Sequence, residues 1–185
     1  FELDLENAYN RQCRAGALEQ LASPSPALGS FLRQFYGKES QYFFRTSSTS
    51  HTIVHASEGI EQGDAAGPAL FACGLKTPLD ELRSRLESQL SQERSERARL
   101  AAASGSAYSG ADAGVSGCVS VLAYLDDTIV GVPAEFAGAA FPLALETFAR
   151  AGHTVHPGKS ACWSHSAPQD TLPADCQRIW RPQGL

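Results

Sequence analysis

The sequence predicts an α+β fold, with an antiparallel sheet that helices cover on one face. Short segments in which apolar and polar residues alternate, as in a strand, are separated by longer segments of helical character. Two pairs of strand segments are predicted to form hairpins, one pair around a Ser/Thr-rich stretch and the other around an Asp-Asp pair. Mixed strands with helices collected on one face describe an α+β sandwich.

The individual elements follow from local patterns in chain order. The opening "FELDL" alternates apolar and acidic residues, which predicts a strand over residues 1–5. After it we predict a helix at 6–22, a helix at 27–37, a hairpin at 40–57, a buried helix opening at 69–75, a hairpin at 121–132, a helix at 133–152 kinked or split at Pro142, and a strand pair at 153–164.

Residues 79–117 are interpreted as an insert. A narrow apolar stripe with charged residues on the other faces predicts a solvated helix over 79–100. The stripe consists of Leu79, Leu82, Leu86 and Leu90. Small residues dominate 101–117, which predicts a loop.

Composition and charge restrict the class of protein. The chain of 185 residues is 43% hydrophobic, as expected of a soluble globular protein. No run approaches the ~20 apolar residues of a membrane span, and no signal peptide opens the chain. The five scattered cysteines suit a reducing compartment. We therefore expect no membrane partner and an intracellular location, in the nucleus or cytoplasm, rather than secretion.

Two features predict that the chain is a fragment of a longer polypeptide. It contains no methionine, and "FELDL" reads as a strand already under way at the first residue. The net charge of −5 argues against a self-sufficient nucleic-acid binder. It does not argue against a catalytic core whose basic partner regions lie elsewhere.

The adjacent carboxylates Asp126 and Asp127 are the most unusual feature. They stand at the tip of the 121–132 hairpin, too close to stay doubly ionised without a cation nearby. If the first strand lies beside this hairpin, Asp4 and Asp126 face each other across the sheet. Mg²⁺ prefers such oxygen ligands, and two ions ~3.5–4 Å apart form the clamp for phosphoryl transfer. An exposed Asp-rich turn without a metal is the alternative.

Four segments in one order resemble the palm domain of a reverse transcriptase, of the non-LTR retrotransposon type. They are "LDLENAYN", "EGIEQGDAAGP", "AYLDD" and "HPGKS". The second resembles the Gln-Gly-Asp motif that opens the palm helix, and the third the Tyr-x-Asp-Asp hairpin. The resemblance spans residues 1–164 and implies a palm-like antiparallel sheet at 1–165, with 166–185 as a tail or the start of a further element.

The resemblance also implies roles for single residues. Asp4, Asp126 and Asp127 would bind two Mg²⁺ ions, with Mn²⁺ as a substitute, and Lys159 would approach the triphosphate. The residues implied to contact substrates are Tyr9 as a gate against the 2′-hydroxyl of a ribonucleotide, Gln62 and Gly63 at the template or nascent base pair, and Tyr124 beside the primer end. The structural alternatives are a core aromatic for Tyr9, a plain glycine turn for Gln62 and Gly63, a solvated lysine for Lys159 and a tyrosine packed in its strand for Tyr124.

The partners implied are an RNA template, a DNA primer and dNTPs, bound through the full-length parent. The isolated fragment, without basic fingers and thumb, is expected to polymerise little.

The sequence departs from the family at Leu125, where smaller residues are common, and at Ala65-Ala66, where Pro-Leu is usual. An inactive palm kept as a structural or interaction module is therefore an alternative. An RNA-templated RNA polymerase is disfavoured by Leu125 and Tyr9.

The C-terminal region offers a different function. Imidazole and thiol groups, suitable for zinc, recur in "HTVHPGKSACWSHSAPQDTLPADC". The set consists of His153, His156, Cys162, His165 and Cys176. Its two-residue gaps are shorter than the usual spacing of paired zinc-binding histidines. A zinc-stabilised binding module is thus the third hypothesis. The alternative is that these residues are surface histidines and small cysteines of the core.

Overall fold

A computed structural model describes residues 1–104, 118–164, 169 and 172–181. About 52% of it is helix and 19% is strand, in small antiparallel sheets, so the predicted α+β class is confirmed. The chain forms two compact units. We call Phe1–Glu6 with Pro78–Leu185 the sheet unit, and Asn7–Thr77 the hairpin unit. The predicted boundary at 165 stays a prediction.

The sheet unit contains three strands and the C-terminal helices. The elements are β1 (Glu2–Asp4), the part of α4 (Gly67–Ala103) that follows Thr77, β4 (Ser120–Tyr124), β5 (Asp127–Gly131), a 3₁₀ turn (Ala134–Phe136), α5 (Ala137–Arg150) and α6 (Ala174–Arg178). The sheet has the order β1-β5-β4, with β5 paired antiparallel to both neighbours.

The hairpin unit is built from short helices and a two-stranded ribbon. The elements are α1 (Ala8–Arg11), α2 (Arg14–Ala22), α3 (Pro26–Tyr36), β2 (Ser40–Arg45), β3 (His51–Ala56) and the first turns of α4. β2 and β3 pair antiparallel over their whole length.

One face of the three-stranded sheet forms part of the core. Successive strand residues point to opposite faces, and Leu3, Thr128, Val130 and Val121 are all buried. Ile129 and Leu122, on the other face, are exposed. The sheet unit therefore keeps one sheet face open in the described part of the chain.

Thr128 places an unsatisfied hydroxyl in this core. Its side chain is buried, and its Oγ1 has no hydrogen-bond partner among the residues that the structure describes. We expect Thr128→Val to raise the free energy of unfolding by about 1 kcal/mol, because a buried hydroxyl without a partner costs free energy that a methyl group does not. Urea denaturation of both proteins measures the difference.

Thr147→Val is the matched control for this prediction. Thr147 is also buried, but its hydroxyl donates to the Leu143 carbonyl at 2.8 Å and accepts from Arg85 at 2.8 Å. Thr147→Val should therefore lower the free energy of unfolding. A Thr128→Val protein that unfolds at lower urea concentration than the wild type would contradict the expectation.

Two helix predictions are corrected. The predicted helix at 6–22 is two helices, because the chain is extended at Gln12 and Cys13, between α1 and α2. The predicted helices at 69–75 and 79–100 are one helix, α4, which continues through Pro78. Residues 105–117 of the expected loop lie outside the described residues.

The apolar stripe of residues 79–100 belongs to the core rather than to a solvated insert. Leu82, Leu86 and Leu90 are buried. The Arg83 side chain donates to the Val121 carbonyl at 3.0 Å, and Arg85 pairs with Glu146 at 2.9 Å. This part of α4 is therefore integrated into the sheet unit.

Two C-terminal predictions also change. α5 runs through Pro142 without interruption, so the predicted split does not occur there. Residues 153–164 do not pair with one another as strands. Instead, Val155 bridges Leu5 and Ala161 bridges Glu2, so that both flank β1 on the edge away from β5. No helix in the described ranges has the length and apolar character needed to cross a membrane.

Candidate active site

Three predicted site residues form one row across the open face of the sheet. Asp127 lies directly opposite Asp4 on β1 and directly opposite Tyr124 on β4. Residues paired in this way on antiparallel strands share a face, with Cβ atoms about 4.5–5.5 Å apart. Tyr124 is 79% exposed, and both carboxylates are at least partly accessible. The row is open to a ligand.

Asp126 lies beside this row, in the turn between β4 and β5. The turn consists of Leu125 and Asp126, since Tyr124 pairs with Asp127. The sequence predicted Asp126 opposite Asp4, whereas Asp127 is the residue in that register. The difference arises because β5 begins at the second aspartate, and the first is used to reverse the chain.

Leu125 adopts a backbone conformation that is uncommon for its residue type. Its φ is 56°, in the left-handed region that favours glycine. A non-glycine residue held there costs roughly 1–2 kcal/mol, and such strain is concentrated at functional sites. A positive φ at the first central residue is also what a two-residue hairpin turn requires, so the conformation of Leu125 follows from the tight turn between β4 and β5.

Lys159 lies in a loop bonded to the backbone of Asp4. The amide of His156 donates to the Asp4 carbonyl at 2.8 Å, and the Ser160 hydroxyl accepts from the Asp4 amide at 3.3 Å. Between these two residues the chain turns, and Lys159 is exposed on the turn. Five predicted site residues are thus collected in the sheet unit: Asp4, Tyr124, Asp126, Asp127 and Lys159.

The donor set fits a hard divalent cation. Like charges directly opposite on neighbouring strands are destabilising, and a cation relieves the repulsion between Asp4 and Asp127. Across the described residues, no three His, Cys, Asp or Glu side chains are grouped to hold one ion. Mg²⁺ commonly takes only one or two carboxylates and completes its shell with water and substrate phosphates. The paired carboxylates Asp4 and Asp127 could supply that number of protein ligands.

The proposed zinc ligands do not form such a group in the described part of the chain either. Cys162 and Cys176 are buried and hydrogen-bond each other, which lowers the pKa of the Cys162 thiol to about 7 and raises that of Cys176. His165 lies outside the described residues. The two thiols therefore have a structural explanation in their mutual contact.

Tyr9 occupies a packed position in the hairpin unit. Its ring is 9% exposed and stacks on Phe71, with 4.3 Å between ring centroids and 8° between planes. This is the environment of the core aromatic that the sequence left open as an alternative. The role of sugar gate stays a prediction.

The Gln62-Gly63 turn is held by two tyrosines. Tyr36 donates to Asp64 Oδ2 at 2.6 Å, and Tyr42 donates to Glu61 Oε1 at 2.5 Å. Gln62 and Gly63 between these carboxylates are exposed. Gly63 has a φ of 96°, and a Cβ added there would meet nothing within 4 Å. The turn is anchored on both sides and leaves open space at its centre.

The Tyr36–Asp64 pair makes a testable contribution to stability. The hydrogen bonds from the Tyr36 hydroxyl and the Ala66 amide lower the pKa of Asp64. Burial, and then the bond to Asp64, raises the pKa of Tyr36 above its usual range. Tyr36→Phe should lower the free energy of unfolding by about 1 kcal/mol near neutral pH.

The pH dependence has a definite sign. The Asp64 contribution is present above the carboxyl's unfolded pKa, about 3.9, and is lost as pH falls through the lowered folded value. The Tyr36 contribution is present below the unfolded pKa of about 10 and is lost as pH rises further. Denaturation of Tyr36→Phe, Asp64→Asn and the double variant between these limits measures the coupling. Fully additive losses would show that the pair is not coupled.

Sequence reasoning missed the supporting residues. Tyr36 and Tyr42 lie 28 and 19 residues from the carboxylates they bind, and no local pattern joins them. In the sequence, Ser160 was recognised only as the last residue of "HPGKS", without a role of its own. Its burial and its bond to Asp4 depend on β1.

Comparison with known proteins does not extend this description. The chain matches no family model, no curated protein and no solved structure.

Proposed function

We propose that this chain is the catalytic palm of an RNA-directed DNA polymerase, which adds dNTPs to a primer. The observation that carries the proposal is the carboxylate row, in which Asp4 and Asp127 are paired across neighbouring strands on an open sheet face. Asp126 stands next to it, on a turn with a strained backbone. The order of the four sequence motifs supports the same conclusion.

The residues of the sheet unit have separate roles in this reaction. Asp4, Asp126 and Asp127 supply carboxylate oxygens for Mg²⁺, with Mn²⁺ as a substitute. When bound, the metal neutralises charge on the attacking and leaving oxygens of the phosphoryl transfer. Lys159, exposed beside Asp4, offers positive charge or a proton to the departing pyrophosphate. Tyr124, exposed in the same row as Asp127, offers a surface for the primer end.

The roles proposed in the hairpin unit rest on the resemblance. Tyr9 discriminates against ribonucleotides, and Gln62 with Gly63 contacts the template or the nascent base pair. The open space around Gly63 supports a close approach by a ligand. RNA template, DNA primer and dNTPs are the partners in this proposal.

Metal binding by the chain itself tests the proposal. We expect the wild type to bind Mn²⁺ in the presence of dTTP, measured as loss of the free-ion EPR signal beyond the loss in a protein-free sample with the same dTTP, and we expect Asp4→Asn or Asp127→Asn to bind far less. Glu87→Gln, an exposed carboxylate on α4, is the matched control and should bind as the wild type does. Equal binding by all four proteins would overturn the assignment of the carboxylates.

An inactive palm that serves as a structural or interaction module is the second candidate. The absence of a three-ligand metal group among the described residues favours it. Wild-type chain that binds no Mn²⁺ with dTTP would support this candidate over the polymerase.

A further inference from the structure

The hairpin unit contains a cavity of about 700 Å³ beside α2 and α3. Three cationic side chains line it, Arg14, Arg33 and Lys38. We propose that this cavity binds a phosphate group. The site is separate from the carboxylate row, and the inference does not depend on polymerase activity.

Arg14 is the central observation. It is 5% exposed, so most of its side chain is shielded from water. The guanidinium donates from Nε to the Gly59 carbonyl at 2.6 Å, and from Nη1 to the Lys38 carbonyl at 3.2 Å and the Ser40 hydroxyl at 3.1 Å. All three acceptors are neutral. A buried charge without a counter-charge is costly.

The remaining donors of Arg14 are available. Its Nη2 makes no hydrogen bond to a described residue, and Arg14 forms no ion pair in the same part of the chain. The Tyr36 ring centroid lies 5.5 Å from the guanidinium carbon, as in a cation–π contact. Arg14, held by three hydrogen bonds, thus lines the cavity with a donor that has no partner among the described residues.

The other charges of the wall favour an anion. Arg33 and Lys38 are exposed and form no ion pair with any described residue. Two carboxylates, Glu19 and Glu39, also line the cavity, and Glu39 is hydrogen-bonded to His55. Three cations therefore face two carboxylates. The balance of charge is positive, although the whole chain has a net charge of −5.

The chemistry of these donors indicates phosphate. A guanidinium binds phosphate oxygens through paired N–H groups, and an ammonium binds them as a point charge. The phosphate belongs either to a nucleic-acid backbone or to a free phosphate compound. Both sources present the same group to the same three side chains.

Titration of the 185-residue chain with inorganic phosphate tests the proposal, with ¹⁵N-labelled arginine side chains observed by NMR. Arg14 ties together three segments, so its loss is expected to affect folding. The main variant is therefore Arg33→Gln/Lys38→Gln, which should weaken phosphate binding about tenfold or more. Glu19→Gln should strengthen it by about threefold, because it removes an opposing charge.

The matched control is Arg94→Gln/Arg181→Gln, which removes the same charge outside the hairpin unit and should leave phosphate binding unchanged. An octamer of thymidylate that competes with phosphate identifies a nucleic-acid backbone as the source. An octamer that does not compete identifies a free phosphate compound. The proposal is overturned if the wild type binds no phosphate, or if the control loses as much affinity as Arg33→Gln/Lys38→Gln.

Discussion

Replacing Asp126 by alanine should reduce primer extension by about 10³-fold or more. A metal supplies several kcal/mol of transition-state stabilisation, and about 4 kcal/mol corresponds to this factor. Asp127→Ala should cost as much, because Asp127 is the residue that lies opposite Asp4. The assay is extension of a DNA primer on an RNA template, by a polypeptide that joins this chain to the fingers and thumb that the resemblance implies.

The control for this result is Glu135→Ala, which removes an exposed carboxylate from the 3₁₀ turn of the same unit. It should extend primers as the wild type does, and circular dichroism should show all variants folded. Wild type that extends nothing with either Mg²⁺ or Mn²⁺ would contradict the polymerase proposal. Extension by Asp126→Ala at the wild-type rate would contradict it equally.

Replacing Tyr9 by valine should raise the use of ribonucleotides relative to deoxynucleotides by about 10–100-fold. The proposed gate excludes the 2′-hydroxyl by contact with the ring, and a steric difference of this size is worth 1–3 kcal/mol. The measurement is the ratio of kcat/KM for each nucleotide in primer extension.

The stacking of Tyr9 on Phe71 requires separate controls. Valine also removes a buried ring, at a cost of about 2 kcal/mol in stability. Tyr9→Phe keeps the ring, so nucleotide discrimination should stay as in the wild type. Phe71→Leu disturbs the stack while keeping Tyr9, and it should lower stability with little change in discrimination. If Phe71→Leu relaxes discrimination as much as Tyr9→Val, the ring is a packing residue and not a gate.

The sequence predicted β1 and the two hairpins well because their signals are local. Alternating residues identified β1, and the Ser/Thr-rich turn identified β2 and β3. The helix ending at Gly37 was likewise confirmed within one residue, since α3 ends at Tyr36. These patterns need only neighbours along the chain.

The long helix was harder to predict because tertiary packing overrides local signals. Pro78 normally ends or kinks a helix, and yet α4 continues through it. The Leu82–Leu90 stripe looked solvated, since charged residues cover its other faces. Burial of the stripe depends on residues at 118–181 that local pattern cannot bring into contact with it.

The carboxylate site was predictable in its residues but not in its register. Asp4, Asp126 and Asp127 were each identified from the chain. A one-residue difference in where β5 begins decides which aspartate faces Asp4, and strand register depends on the whole sheet. The Tyr36 and Tyr42 contacts and the buried Arg14 cation were beyond sequence reasoning, because each links segments distant along the chain.

The open sheet face has a practical consequence for purification. Leu122, Ile129 and Tyr124 expose apolar surface beside the carboxylate row, and an uncovered face of this kind favours self-association in concentrated solution. Net negative charge opposes that association, and salt screens the charge. High-salt buffers should therefore promote precipitation of this chain, and low-salt storage should preserve it.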